Sequence, residues 1–348
     1  MRGFIAILVL IGLFGCEPKK NEAVVVEEEV AYSGSSTLGS PTLSSYGFFS
    51  GELKRLEPAS GVLEYSINAA LFSDYAFKKR LIKLPPGNRM SYHPKEVFEF
   101  PEGTVLIKNF YYPADFRKPD EKVRLLETRL LILKGGTWEP LAYIWNKEQT
   151  EAYLEVAGKS IPVSWVHTDG VMRTIDYSVP NLNQCKGCHL KGDKVMPIGP
   201  TARQLNHGVQ LTAWRDAGLL TDLPDTSKVP RLASYENPHE AIADRARSWL
   251  EINCAHCHRP DGQAKTSGLH LSADVTSALA LGIGKAPVAA GKGSGGRLYS
   301  VVPGHPEESI LLYRIESTDP GIMMPEMGRK LVHTEGVDLV RQWILSMK

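Results

Sequence analysis

Short runs of alternating apolar and polar positions fill the chain from about residue 46 to 179. Phe98 to Pro113 (FEFPEGTVLIKNFYYP) concentrates β-branched and aromatic residues around Pro-Glu-Gly. Val123 to Asn146 (VRLLETRLLILKGGTWEPLAYIWN) reads as two strands joined at Gly135-Gly136, and Glu151 to Val166 (EAYLEVAGKSIPVSWV) repeats that hairpin pattern around Gly158. No strand–helix alternation calls for a parallel sheet, so 46–179 is expected to be an antiparallel β-rich domain, a sandwich or small barrel. After Pro180 the period lengthens. Leu211 to Leu220 (LTAWRDAGLL) and His239 to Cys257 (HEAIADRARSWLEINCAHC) have helical spacing, the latter placing Ile242, Ala246, Trp249, Leu250 and Asn253 near one face. Val337, Val340, Ile344 and Leu345 predict an amphipathic terminal helix, while the glycine-rich 281–297 predicts a loop. The fold class expected is multidomain: the β-rich domain, a segment at 180–235, and a mostly α region at 236–348.

The first residues have a different texture. Arg2 precedes the apolar run FIAILVLIGLFG, too short for a confident membrane span and shaped like an export signal. It ends in Leu-Phe-Gly-Cys, so 1–16 is expected to be a lipoprotein signal peptide ending at a lipidated Cys16, although Phe14 is bulkier than that pattern usually has. Residues 17–45, acidic and then small and polar, are expected to be a flexible tether. With 40 basic and 39 acidic residues the chain carries net charge +1, and no basic stripe interleaved with aromatics suggests nucleic-acid binding.

The candidate chemistry is a doubled motif. Cys185-Lys186-Gly187-Cys188-His189 and Cys254-Ala255-His256-Cys257-His258 each place two cysteines three apart with a histidine directly after. Structural zinc would favour pairs some 15–20 residues apart, whereas 65 residues separate Cys188 from Cys254. A thioredoxin-like pair needs a βαβ setting that is missing here. A Cys-x-x-Cys disulfide closes too small a loop to restrict the unfolded chain much. Covalent haem c uses every position: cysteines at i and i+3 form thioethers from one helical face, and the histidine at i+4 offers its imidazole to iron from that face. Two covalent haems are therefore expected, anchored by Cys185, Cys188, Cys254 and Cys257, with His189 and His258 as proximal ligands.

Met or His commonly fills the opposite axial position of electron-transfer haems. Met324, 66 residues after His258 and directly before Pro325, is the expected sixth ligand of the second haem, with Met323 next; the plainer alternative makes Met323, Met324 and Met327 soft core filler. For the first haem Met196 and His207 are the leading options, with His167 and Met172 upstream and an open position as the remaining one. Arg297, Tyr299 and Arg329 are options for propionate contacts, against the commoner reading of loop arginines as solvated.

The stretches LFSDYAFKKR, FPEGTVLIKNFYY, ETRLLI, YIWNKEQTEA, NQCKGCH, PIGPTARQLN, INCAHCH and ESTDPGIMMPEMGR give the chain, from about Leu71 to its terminal helix, a resemblance to a family of bacterial di-haem c-type cytochromes. The resemblance implies two covalent haems, a β-rich N-terminal domain and a cytochrome c-like C-terminal domain. The expected function is electron relay between periplasmic or membrane redox proteins, by an electron carrier ahead of a catalyst. The alternative is a di-haem peroxidase or oxidase with one open or labile iron. The expected location is the periplasm, lipid-anchored to a bacterial membrane, the outer before the inner.

Overall fold

A computed structural model describes residues 38–348. The signal segment with Cys16, and most of the expected tether, lie outside the described residues. The first nine strands are β1 Val62–Tyr65, β2 Phe77–Lys83, β3 Met90–Ser91, β4 Val105–Pro113, β5 Val123–Lys134, β6 Thr137–Trp145, β7 Ala152–Glu155, β8 Lys159–Val166 and β9 Met172–Val179. Six of them form one antiparallel sheet in the order β1-β2-β4-β5-β6-β7, and β8 pairs with β9 alone. Gly135 and Gly136, both at positive φ, make the β5–β6 hairpin as expected. The turn at Gly158 does something else. β7 stays on the edge of the large sheet while β8 leaves it, so no β7–β8 hairpin forms. The sheet is an open meander, neither closed into a barrel nor fully covered by a second sheet.

One face of this sheet is closed by the segment before β1. Leu43, Phe48 and Leu56 pack on Leu81, Ile107, Leu130 and Leu141. Residues 41–43, expected inside the tether, belong to this body: Leu43 is 0% exposed, and Pro41 O accepts from Leu154 N. Burial of the leucine outweighs the small, polar character of its neighbours. The opposite face is covered at its two ends. The β8–β9 ribbon brings Val163, Trp165 and Tyr177 against Phe110, Leu126 and Ala142. At the other end, Leu205, Leu211 and Trp214 cover Ile82, Leu106 and Trp138.

After β9 come α1 Leu182–His189, the two-residue hairpin strands β10 Leu190–Lys191 and β11 Lys194–Val195, α2 Ala202–Leu205, α3 Gln210–Asp216, and β12 Leu220–Thr221, which pairs in parallel with β3. The C-terminal part holds α4 Ile242–Leu250, α5 Ile310–Glu316 and α6 Thr334–Leu345. A π-helical turn, Glu251–Ala255, extends α4. The predicted face of α4 is inward: Ala246, Trp249, Leu250 and Asn253 are buried. These helices share a core in which Trp249, Leu250, Leu312, Val340 and Ile344 are buried together with Cys254. Leu345, expected on the buried face of α6, is 55% exposed, and Leu339 and Trp343 complete that face instead. The expected mostly α content is not met. Loops and short 3-10 turns fill Lys265 to Ser309, where closely spaced glycines disfavour helix. Among the described residues no helix is long and apolar enough to cross a membrane.

Candidate functional site

The first motif rides on α1. Asn181 accepts from Gln184 N, and Gln184 returns the bond to Asn181 N, both at 2.9 Å. This capping box starts the helix. Helical spacing then sets Cys185, Cys188 and His189 on one side. The β10–β11 hairpin follows at once and turns the chain back, so that Met196 O lies 2.8 Å from His189 Nδ1. A carbonyl can only accept, so Nδ1 carries the proton and Nε2 keeps its lone pair. Burial, with Lys108 and Arg129 adding, pushes the His189 pKa down to about 4, which keeps the ring neutral.

The second motif reproduces that arrangement with different parts. His258 Nδ1 is 3.1 Å from Ser267 Oγ, whose own hydrogen goes to Ala264 O at 2.7 Å. Ser267 is therefore the acceptor, and Nε2 of His258 is again the open nitrogen. Its pKa is also lowered to about 4, chiefly by burial. The thiols are unpaired: Cys185, Cys188, Cys254 and Cys257 are all free. Burial raises all four, Cys254 to about 12 and Cys257 to about 11, so they are protonated at neutral pH. Among the described residues their sulfurs do not converge with histidine into a metal-ligand set. The compact set there is His305, Glu307 and Glu308, which lies exposed on the surface.

The two motifs meet. Cys257 Sγ lies 3.8 Å from Gly187 O, and a Cβ on Gly187 would come within 2.7 Å of Met327 Cε. Beside them lies a cavity of about 320 Å³, lined by Cys185, Cys188 and His189 from the first motif and by Asn253 and His256 around the second. The Nδ1 of His256 is buried without a hydrogen-bond partner. The C-terminal loop closes the cavity with Met324, Met327 and Arg329. Met324 is pinned by its backbone: its N–H donates to Arg314 O, and its carbonyl accepts from Arg329 at 2.8 and 3.1 Å. Arg329 also donates to Leu331 O and Ser317 O, so it braces the methionine loop. His333 lines the cavity too, stacked on Phe72 and accepting at Nδ1 from Trp249 Nε1 at 2.9 Å.

The remaining wall is the sheet. Arg80, Lys108 and Arg129 face the cavity from β2, β4 and β5. They are direct cross-strand partners, Arg80 with Lys108 and Lys108 with Arg129. Their strands carry a sequence signal that only the register makes legible: a basic residue beside β-branched, leucine and aromatic positions in each of FKKRLIK, VLIKNFYY and ETRLLIL.

Other expected residues are placed elsewhere. Met196 lies by the Nδ1 edge of His189, with its side chain partly buried beside α2 and α3. His207 does not line the cavity; its Nε2 is 2.8 Å from Gln210 Nε2 and 3.3 Å from Ser66 Oγ. His167 accepts from Trp165 Nε1, and Met172 is exposed. Arg297 sits over the Tyr313 ring and donates to Glu307 O. No family model, curated protein or solved structure matches this chain.

The donor set fits covalently held haem. At the first motif it combines paired neutral thiols, a neighbouring imidazole with Nδ1 tied and Nε2 open, and an interior cavity with an apolar and cationic lining; the second motif repeats the thiols and the imidazole, but Cys254, Cys257 and His258 do not line that cavity. A neutral thiol adds S–H across a vinyl C=C with no leaving group and no oxidant, so protonated thiols suit thioether formation.

Proposed function

We propose that this chain is an exported di-haem c-type cytochrome that relays electrons between periplasmic or membrane redox proteins, anchored by lipid at Cys16. The observation that carries the reading is the duplicated histidine arrangement. In both Cys-x-x-Cys-His motifs the Nδ1 proton is committed to a fixed acceptor, leaving Nε2 for iron beside two free thiols. Haem supplies the one-electron chemistry when bound. The chain's residues anchor it, orient the proximal imidazoles and keep water away. Met196 takes a positioning role here, through its carbonyl, and Met324 is the sixth ligand of the second haem. The C-terminal part, with Cys254 to His258 at the end of α4 and Met324 ahead of α6, supports a cytochrome c-like reading of that region.

A second reading, a peroxidase or oxidase with one open iron, is favoured by one observation: neither Met196 nor His207 lines the cavity beside the first motif. Mass spectrometry of mature protein made with a haem-maturation system tests the main reading. The expected mass includes two haems and lipid, and protein without covalent haem overturns it. Electron paramagnetic resonance separates the two readings: two low-spin haems support the relay, and a high-spin haem reacting rapidly with peroxide supports the enzyme.

A further inference from the structure

Arg80, Lys108 and Arg129 stand side by side on three adjacent strands. Like charges directly opposite destabilise a sheet, and unpaired cations held away from bulk water are unfavourable. Covering side chains close the same sheet face above and below this row, with Phe110 at one end and Ile82 and Leu106 at the other. The cations are thus held inside the body, facing the cavity. Only Arg129 has a carboxylate, Glu127, which accepts from its Nε at 2.9 Å and its Nη2 at 2.5 Å and from Tyr177 Oη at 2.6 Å. Among the described residues neither Arg80 nor Lys108 forms an ion pair; Lys108 feels Glu127 only at longer range, and its Nζ lies 4.9 Å from the Phe110 ring centroid. Desolvation lowers both groups, Lys108 well below its ordinary value. Lys78, on the same face but off the cavity lining, spends its ammonium on Leu71 O and Ala76 O.

Within the row itself three cations and one carboxylate leave two positive charges, while Asp74, Arg329 and Lys330 stand elsewhere in the cavity lining. We infer that the Arg80–Lys108–Arg129 row is a dicarboxylate receptor, holding the two propionates of the haem attached at Cys185 and Cys188. The inference rests on the di-haem reading. The direction along the sheet agrees with it. α1 packs against β6, and from there the row runs outward through Arg129 on β5 and Lys108 on β4 to Arg80 on β2. The partnerless cations lie at the far end, as a ring tethered by its vinyl edge requires of its acidic edge.

The test uses the haem-loaded protein, with Arg80→Gln, Lys108→Met, the double variant and Arg80→Lys, and follows both haem midpoints by potentiometric titration from pH 5 to 9. Cations beside a haem favour the reduced state, and they keep propionates ionised. In wild type the first-haem midpoint is expected to be flat across this range. In Arg80→Gln, Lys108→Met and, most strongly, the double variant, that midpoint falls at pH 7 and acquires a pH dependence as the released propionates titrate. Arg80→Lys restores the flat profile. Should the double variant not accumulate, Arg80→Gln alone reads the same shift. Unchanged midpoints and profiles in variants that retain two haems by mass overturn the inference and leave the di-haem reading standing. A wild-type midpoint that moves on adding acetate also overturns it, making the row a site for exchangeable anions. Wild-type protein without haem removes both readings.

Discussion

Gly187 and Cys257 are in contact, carbonyl oxygen to sulfur at 3.8 Å, although 70 positions separate them in the chain. On the di-haem reading, groups attached at these motifs would be neighbours, in an interior where charges are weakly screened. Adding an electron to one then makes the next harder to add. The two midpoints of the wild type are expected to lie further apart than those of the single-haem variants Cys185→Ala/Cys188→Ala and Cys254→Ala/Cys257→Ala measured separately. Equal spacing would show that the centres do not feel one another.

Met324 is fixed from both sides of its peptide unit by Arg314 and Arg329, so its side chain is aimed by a braced loop. Thioether ligation favours ferrous iron. Met324→Ala is expected to lower the midpoint of the second haem while haem content stays at two. No change removes Met324 from the coordination shell; a fall confined to the first haem moves the ligand to the other iron.

His333 predicts a pH dependence of stability. Burial among Phe72, Tyr75, Tyr235 and Trp249 lowers its pKa from 6.5 to about 4; Glu335 opposes that shift, and Lys78 adds to it. The unfolded chain binds the proton first. The stabilisation from neutral His333 is complete above about pH 6.5 and is lost as pH falls toward 4, by about 3 kcal/mol. Urea unfolding of the loaded protein at pH 4–8 is expected to show wild type losing stability relative to His333→Gln in that window. Parallel curves would mean the ring is solvated.

Gly336 sits against the same pair. A Cβ there would come within 2.3 Å of Trp249 Nε1 and 2.7 Å of His333 Nδ1, both in a packed interior. Alanine gains about 1 kcal/mol of helix propensity, but forcing the two rings apart costs typically 1–3 kcal/mol or more. Thermal unfolding of Gly336→Ala is expected at a lower temperature than wild type, with Asp338→Ala, at an exposed position two residues on, nearly unchanged.

What the sequence made legible was local. The Cys-x-x-Cys-His spacing, the Gly135-Gly136 hairpin and the inward face of α4 each depend on neighbours within about one turn. Arg80, Lys108 and Arg129 are not legible as a group, because 28 and then 21 positions separate them and strand register alone makes them neighbours. The Gly158 turn departs from the expected hairpin for a related reason: alternation marks β7 and β8 as strands without saying which sheet each joins. The acceptors for the two imidazoles were hidden differently. A backbone carbonyl at Met196 and a hydroxyl at Ser267 have no residue-type signature, so positions near them drew attention for their sulfur or not at all.

Asp74 Oδ1 takes hydrogen bonds from the backbone of Lys330 and Leu331, some 256 positions downstream. Ribosomes deliver a chain from its N terminus, so the stretch carrying Met324, Arg329 and His333 is the last wall to arrive. Until it docks on the earlier β-rich half, Cys185 and Cys188 stand at an unfinished opening. On the di-haem reading, that late closure would leave a doorway through which a bulky, flat prosthetic group could be fitted before the molecule shuts behind it.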